Sequence, residues 1–304
     1  MRSKKTALIT LAASCFVGLA SAQQPLKVCM AGDNAPLSYR LAGEMRGLDL
    51  RVAQAIAADL QRPLQVIPFD SDFDASGSLT HEVNALLSSG VCELASGFPL
   101  VSTDLGAPSR PTARVPGYPG AKRPPQRAWV ALGTLVPSRA YHAAAWGLVV
   151  SDPARELATL ANAGDARIGA SAGTMTGSII SMYQNGRLRK QVVSLSRTED
   201  ALEQLVAGKF DMTLVGLDRF DTWQLLHPGS QLRRAAYLHP LRINIGFVAR
   251  SDVPEVMSAA NRVIGQALAD GDLPRWSAAA GSSWIAPALP EVSAPIGLAE
   301  LLRE

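Results

Sequence analysis

The stretch Leu26-Lys27-Val28-Cys29-Met30-Ala31-Gly32-Asp33-Asn34-Ala35-Pro36 is an apolar run of strand length that ends in turn-forming residues. It is followed by Gly47-Leu48-Asp49-Leu50-Arg51-Val52-Ala53-Gln54-Ala55-Ile56, in which Leu48, Val52, Ile56 and Leu60 recur every four residues with Ala53 and Ala57 beside them. That spacing puts one apolar face on a helix that must stop before Pro63. Leu64 to Phe69 reads as a second strand. Leu79, Val83, Leu86 and Leu87 repeat the helical pattern, Gly90 ends it, and Val91 to Gly97 returns to a strand. Strands alternating with helices predict an α/β fold whose mostly parallel sheet is covered by helices.

The alternation breaks at Thr103 to Ala128, where six prolines, three glycines and five basic residues stand against the single acid Asp104. This segment reads as a loop with a local charge of +4. Apolar residues resume at Ala145 to Val150, and a second alternation begins: a helix near Ala154 to Asn162, a strand at Arg167 to Ser171 and a helix after Thr174. The box Ser196-Arg197-Thr198-Glu199 is suited to start another helix, because the serine side chain caps one free backbone N–H and the glutamate reaches back to another. Phe210 to Gly216 is then a strand, Ile243 to Ala249 a final apolar run, and a helix follows Pro254 with Val256, Val263, Ile264 and Leu268. The Pro-rich tail from Pro287 is expected to trail over the surface. Two α/β lobes result, and ligands of open α/β sheets sit beyond the carboxyl ends of the strands, so the cleft between the lobes is the expected site.

A chain of 304 residues is long enough for about two domains. Its first 22 residues read as a secretory signal peptide: Arg2, Lys4 and Lys5 start it, Ala7 to Leu19 is apolar, and Ala20-Ser21-Ala22 offers small residues for cleavage. Cys15 lies inside the apolar run with no lipobox before it. Beyond the signal, 26 basic residues balance 26 acidic ones, which leaves no global field for nucleic acid. Cys29 and Cys92 remain, in a compartment that lets disulfides persist; they form either one bridge or two separately buried thiols. His81, His142, His227 and His239 lack paired ligand spacing, so neither metal nor cofactor is expected, and they read as scattered solvated residues.

Gly169-Ala170-Ser171-Ala172-Gly173 matches G-x-S-x-G, and Asp211 or Asp218 followed by His227 or His239 would complete the chain order of a serine hydrolase. An elbow serine should itself open the helix, however, whereas Gly173 and Thr174 intervene, and no Gly-rich oxyanion segment precedes it. The same stretch supplies Thr174 and Thr176 at a helix start, where free N–H groups and hydroxyls either hold an anionic ligand group or simply cap the helix. No residues order a nucleophile beside a base. The expectation is therefore binding without catalysis, with Asp33, Asn34, Tyr39, Thr174 and Thr176 contributing to a small polar ligand from opposite walls.

Asp33-Asn34-Ala35-Pro36-Leu37-Ser38-Tyr39, Gly47-Leu48-Asp49-Leu50 before an Ala-rich helix, Gly173-Thr174, Gly208-Lys209-Phe210-Asp211, Gly246-Phe247-Val248-Ala249-Arg250 and Asp270-Gly271-Asp272-Leu273 occur in an order that resembles family 3, amino-acid-type periplasmic solute-binding proteins. The resemblance implies a two-lobed type II fold. Residues 23–144 with 246–286 would form the first lobe, 145–245 the second and 287–304 a tail, with a hinge near Ala145 to Val150 and a return near Ile243 to Gly246. The family's Thr-x-x-Arg segment for a ligand carboxylate is replaced by Ser102-Thr103-Asp104-Leu105, its acid for a ligand ammonium falls at Gly216 and not at Asp218, and its first-loop aromatic is Leu37.

Val28-Cys29 and Gly90-Val91-Cys92 resemble the quinoprotein alcohol dehydrogenase-associated branch. Neighbouring first and third strands in such a lobe imply a Cys29–Cys92 disulfide. The departures in the cleft and the added loop favour an accessory factor of a periplasmic quinoprotein dehydrogenase, docking through Arg110, Arg114, Tyr118, Lys122, Arg123 and Arg127. The alternative is a receptor that delivers an amino acid or other small polar solute to an ABC transporter permease.

Overall fold

A computed structural model of the protein describes residues 23–70, 78–122, 126–152, 157–196 and 199–303. The expected signal peptide, Arg123, and Arg197 and Thr198 of the expected capping box lie outside the described residues.

The chain opens with β1 (Leu26–Ala31), a three-stranded meander of β2 (Asp33–Asn34), β3 (Ser38–Leu41) and β4 (Glu44–Arg46), then α1 (Leu48–Asp59), β5 (Leu64–Phe69), α2 (Leu79–Ser88) and β6 (Leu94–Pro99). β1 lies between β5 and β6 and is parallel to both, with Val28 opposite Val66 on one side and Leu94 on the other. Its alternation divides the core. Leu26, Val28 and Met30 face α1, while Cys29 faces Val83 and Leu86 of α2. Cys29 is bonded to Cys92, with the Cα atoms 5.7 Å apart, so the expected bridge is formed between the strand and the segment leading into β6. At Gly47, the N-cap of α1, φ is +115° and a Cβ would stand 2.1 Å from the Leu37 carbonyl oxygen. Only glycine fits this turn from the meander into the helix.

The segment expected to be a loop contains β7 (Thr112–Arg114), which pairs with β8 (Trp129–Ala131) as an antiparallel ribbon. Ala113 and Val115 are buried with Phe69, Leu86 and Phe98 in the lobe's second core. The apolar anchors are too few and too scattered among prolines and arginines to show strand periodicity, which is why the ribbon was not apparent from sequence.

β9 (Leu135–Val150) then leaves this lobe for a second one, built from β10 (Ile168–Ser171), α3 (Met175–Met182), β11 (Val192–Leu195), α4 (Ala201–Val206), β12 (Met212–Gly216) and α5 (Leu217–Leu226). The helix expected at Ala154 to Asn162 is reduced, within the described residues, to a 3₁₀ turn at Leu160–Ala163. The box before α4 forms only in part. Glu199 accepts the Ser196 N–H at 2.8 Å, but Asp200 caps the helix through the Leu202 and Glu203 N–H groups.

β13 (Arg233–Arg250) returns to the first lobe, where α6 (Pro254–Ala269) and α7 (Asp272–Ala279) complete its outer layer. The strand order β11-β10-β12-β9-β13-β6-β1-β5 is one continuous mixed sheet, with β9 and β13 antiparallel and running through both lobes. Ala143 to Ala145 of β9 and Arg242 to Asn244 of β13 face each other midway, where the strands pass between the lobes.

The C-terminal segment from Pro287 runs over the surface, as expected, but it is fastened there rather than loose. Asp221 of α5 accepts both the backbone N–H and the hydroxyl of Ser283, and Ile285 accepts the Ala143 N–H at 3.0 Å. The Asn244 amide donates to the Ala288 and Glu291 carbonyls, the Glu291 carboxylate takes the Ala140 N–H at 2.9 Å, and Ser293 pairs with Leu100 and Ser102. The final helix, α8 (Leu298–Leu301), reaches the second lobe, where the Leu301 carbonyl lies 3.2 Å from His239 Nε2. Backbone groups at the strand crossings that lack partners within the sheet are satisfied by this segment.

Candidate functional site

The strands of both lobes end at a cavity of about 350 Å³ between them. Leu37, Leu79, Pro99, Leu217 and Ile245 form much of its apolar wall, and its polar side chains are Asp33, Asn34, His142 and Asp218. Asp33 and Asn34 form β2, just after β1; Asp218 comes from the first turn of α5 in the other lobe. The Thr222 hydroxyl, one turn further along α5, lies 2.8 Å from the Ala35 carbonyl and ties the two walls together.

His142 sits on β9 between the lobes. It is 5% exposed, its Nδ1 has no hydrogen-bond partner, and burial lowers its pKa from 6.5 to about 4, so the ring is neutral at pH 7. His239 is also buried, at 1% exposure. These two histidines correct the expectation of solvated rings: both lie buried on the long strands that join the lobes.

Beneath the cavity floor lies Asp49, fully buried at the start of α1. Its Oδ1 accepts the Tyr141 hydroxyl at 2.7 Å, and that tyrosine oxygen in turn accepts the Gly97 N–H at 3.1 Å. Ser38 and Ser96 stand nearby, but neither hydroxyl is in hydrogen-bond geometry, and Asp49 Oδ2 has no partner. Burial raises the Asp49 pKa against the opposing effect of Tyr141. Gly97, at φ +68°, separates this carboxyl from the cavity; a Cβ there would stand 3.2 Å from Asp49 Oδ2 and 3.4 Å from the Asn34 amide nitrogen.

The residues singled out in the sequence do not share one cavity. Asp33 and Asn34 line the interlobe space, while Thr174 and Thr176 line a separate depression of about 260 Å³ in the second lobe, with Ser171 and Arg219. Thr174 is occupied as the N-cap of α3: its hydroxyl donates to the Ser171 carbonyl at 2.7 Å and accepts the Gly177 N–H at 3.0 Å. Arg219 is ion-paired with Asp200. Tyr39 pairs with Asp33 across the β2–β3 meander and does not line the interlobe cavity.

The two histidines that could serve Ser171 are engaged elsewhere. His227 stacks on Trp223 with ring centroids 3.8 Å apart, and His239 accepts the Leu241 N–H at 3.1 Å.

On the ribbon, Arg110 and Lys122 are exposed, Tyr118 packs partly into the core, and Arg127 reaches the Val115 carbonyl. Arg114 lies 5.3 Å over the ring of Trp129, which is 60% exposed.

Asp218, His142 and Trp129 are the residues that sequence reading did not place in these roles. His142 was detectable as a single ionisable side chain in the Ala140 to Ala145 run; Asp218 was read only as a possible hydrolase acid, two residues from the position of the family's ammonium-binding acid, and Trp129 carried no such signal.

No family model and no curated protein sequence matches the chain. Solved structures do. The L-cystine solute receptor of Neisseria gonorrhoeae, in its unliganded open conformation, is similar with a TM-score of 0.59 and 15% identity over 86% of this chain and 94% of that one. The second substrate-binding domain of Lactococcus lactis GlnP, also open, gives 0.58 and 13% over 83% and 93%. The protein has the two-lobed fold of a periplasmic binding protein. An ancestral cationic amino acid solute-binding protein shares that fold at a TM-score of 0.56 and 16% identity, over 84% of this chain and 94% of that one. These proteins are solute-binding proteins or domains; at such identities the likeness carries the fold and not the ligand.

Proposed function

We propose that the protein is a non-catalytic, periplasmic solute-binding protein that encloses a small polar molecule between its lobes and presents it to an ABC transporter permease. The observation that carries this reading is the interlobe cavity, to which the first lobe supplies Asp33 and Asn34 and the second Asp218 across two continuous strands. Thr174 and Thr176 are candidates to join the ligand from the second lobe, and Tyr39 to flank Asp33 at the rim. Export accords with the basic-apolar-small pattern of residues 1–22, and no described helix is long and apolar enough to cross a membrane. The test is thermal unfolding of the purified protein against a panel of amino acids, amines, sugars and small carboxylates. One chemical class should raise the melting temperature, by an amount equivalent to about 2.7 kcal/mol at a hundredfold excess over Kd. A silent panel refutes the proposal. Ser171→Ala should retain that ligand response.

A second reading, an accessory factor of a quinoprotein dehydrogenase, is favoured by one feature: the ribbon presents exposed Trp129 under Arg114, and the segments flanking its strands carry exposed Arg110 and Lys122. Because Ala113 and Val115 belong to the core, deleting the ribbon would damage the fold. Arg110→Glu with Lys122→Glu leaves that core intact. Loss of dehydrogenase retention at low salt supports docking, and unchanged retention removes it.

A further inference from the structure

The fold favours a solute in the cleft; the side chains there narrow its chemistry. Both charged groups of the described lining are carboxylates, Asp33 from one lobe and Asp218 from the other, and neither has an ion-pair partner among the described residues. Among the described residues, no lysine or arginine lines the cavity. Arg40, from the adjacent meander, is paired with Asp70, and Arg219, one residue past Asp218, with Asp200. Independently of the acids, the buried ring of His142 lines the same cavity, and its Nδ1, sealed from solvent, has no protein partner. A neutral imidazole nitrogen without a proton accepts a hydrogen bond, as a carboxylate does. Leu37, Leu79, Pro99, Leu217 and Ile245 offer the rest of the lining to a hydrocarbon body. At about 350 Å³, the cavity is at the small end of ligand sites.

We propose that the cleft is a site for a small organic amine, an ammonium or guanidinium group on an apolar body, and that it rejects the corresponding α-amino acid. This rests on the solute-binding reading and specifies it. The ammonium would sit between Asp33 and Asp218, donating to them, beside the neutral ring of His142 and with Asn34 offering its amide oxygen. A ligand carboxylate in that space would meet two like charges and, among the described residues, no cation, and would lose hydration that nothing there replaces.

Decarboxylated pairs isolate this one group: agmatine against L-arginine, 3-methylbutylamine against L-leucine and phenethylamine against L-phenylalanine, each titrated calorimetrically into the purified protein. In at least one pair the amine should bind at least tenfold more tightly than the amino acid, and Asp218→Asn and Asp33→Asn should each weaken it about tenfold or more. Asp218 is on the surface of the second lobe's helix start, and circular dichroism on both variants separates lost binding from lost fold. Amino acids that bind as tightly as their amines, or tighter, overturn the inference and leave the solute-binding reading standing. So does binding of an amine that neither aspartate variant weakens. If no amine binds but a sugar or carboxylate from the wider panel does, the amine assignment fails alone; silence from every solute defeats both.

Discussion

Substituting His142 by glutamine tests the electrostatics of the hinge most directly. The ring is 5% exposed, and its pKa falls from 6.5 to about 4 because burial penalises the charged form. The unfolded chain therefore takes up a proton near pH 6.5, whereas the folded protein resists until about pH 4. The stability that the neutral ring contributes is fully present above pH 6.5 and is lost as pH falls through the folded value. The gap is worth about 3 kcal/mol, at roughly 1.36 kcal/mol for each tenfold change in proton affinity. Asp49 and Asp221 act in the opposite sense. Burial raises both above 3.8, so acidification towards that value restores stability that their ionisation removes. The pH profile of the parent mixes these contributions, but the difference between parent and His142→Gln isolates one. Urea unfolding monitored by circular dichroism at pH 7, 5.5 and 4.5 should show the variant gaining on the parent by about 2.5 kcal/mol between the extremes. Parallel profiles, or a His142 resonance titrating above pH 6, would refute the assignment of a buried neutral ring.

Three further outcomes are expected. The disulfide closes a loop across a sequence separation of 63, so Cys29→Ala with Cys92→Ala should cost about 4 kcal/mol in the loop-entropy account. That corresponds to a melting temperature lower by roughly 8–16 °C, and the reduced parent should match the variant in calorimetry. Tyr141→Phe removes the hydroxyl that Asp49 accepts and that receives the Gly97 N–H; a cost of about 2–3 kcal/mol should appear as a lower urea midpoint. Gly47→Ala places a Cβ against the Leu37 carbonyl at a positive φ, and should destabilise by more than about 2 kcal/mol, measured by thermal melting against a Gly43→Ala control whose Cβ meets nothing within 4 Å.

The parts of the fold that sequence revealed are those where one face is buried and the other wet. α1 displays Leu48, Val52 and Ile56 at helical spacing because its opposite side meets solvent. β9 and β13 were legible only over the last residues of one and the final run of the other. Their middles carry Ser138, Arg139 and His142, and His239, Pro240 and Arg242, with register shifts that destroy alternation. The same irregularity concealed the candidate site. Asp33 and Asn34 were visible as turn residues after a strand, but the interlobe wall depends on which end of α5 faces them, and spacing along the chain carries no information about that. Thr174 illustrates the converse, since a helix start reads alike whether its hydroxyl caps the helix or waits for a ligand.

The C-terminal segment gives the hinge an external strap. It is fastened to α5 at Ser283, to both crossing strands at Ile285 and Ala288, to the first lobe at Glu291 and Ser293, and to the second again at Leu301. The two lobes thus share a mechanical load path outside the sheet, and the compliance of the joint is written partly in residues 283–301. A fusion or tag attached at the carboxyl end pulls on that strap, whereas one attached ahead of β1 does not. For any measurement in which the lobes must move against each other, the amino end is the place to anchor the molecule.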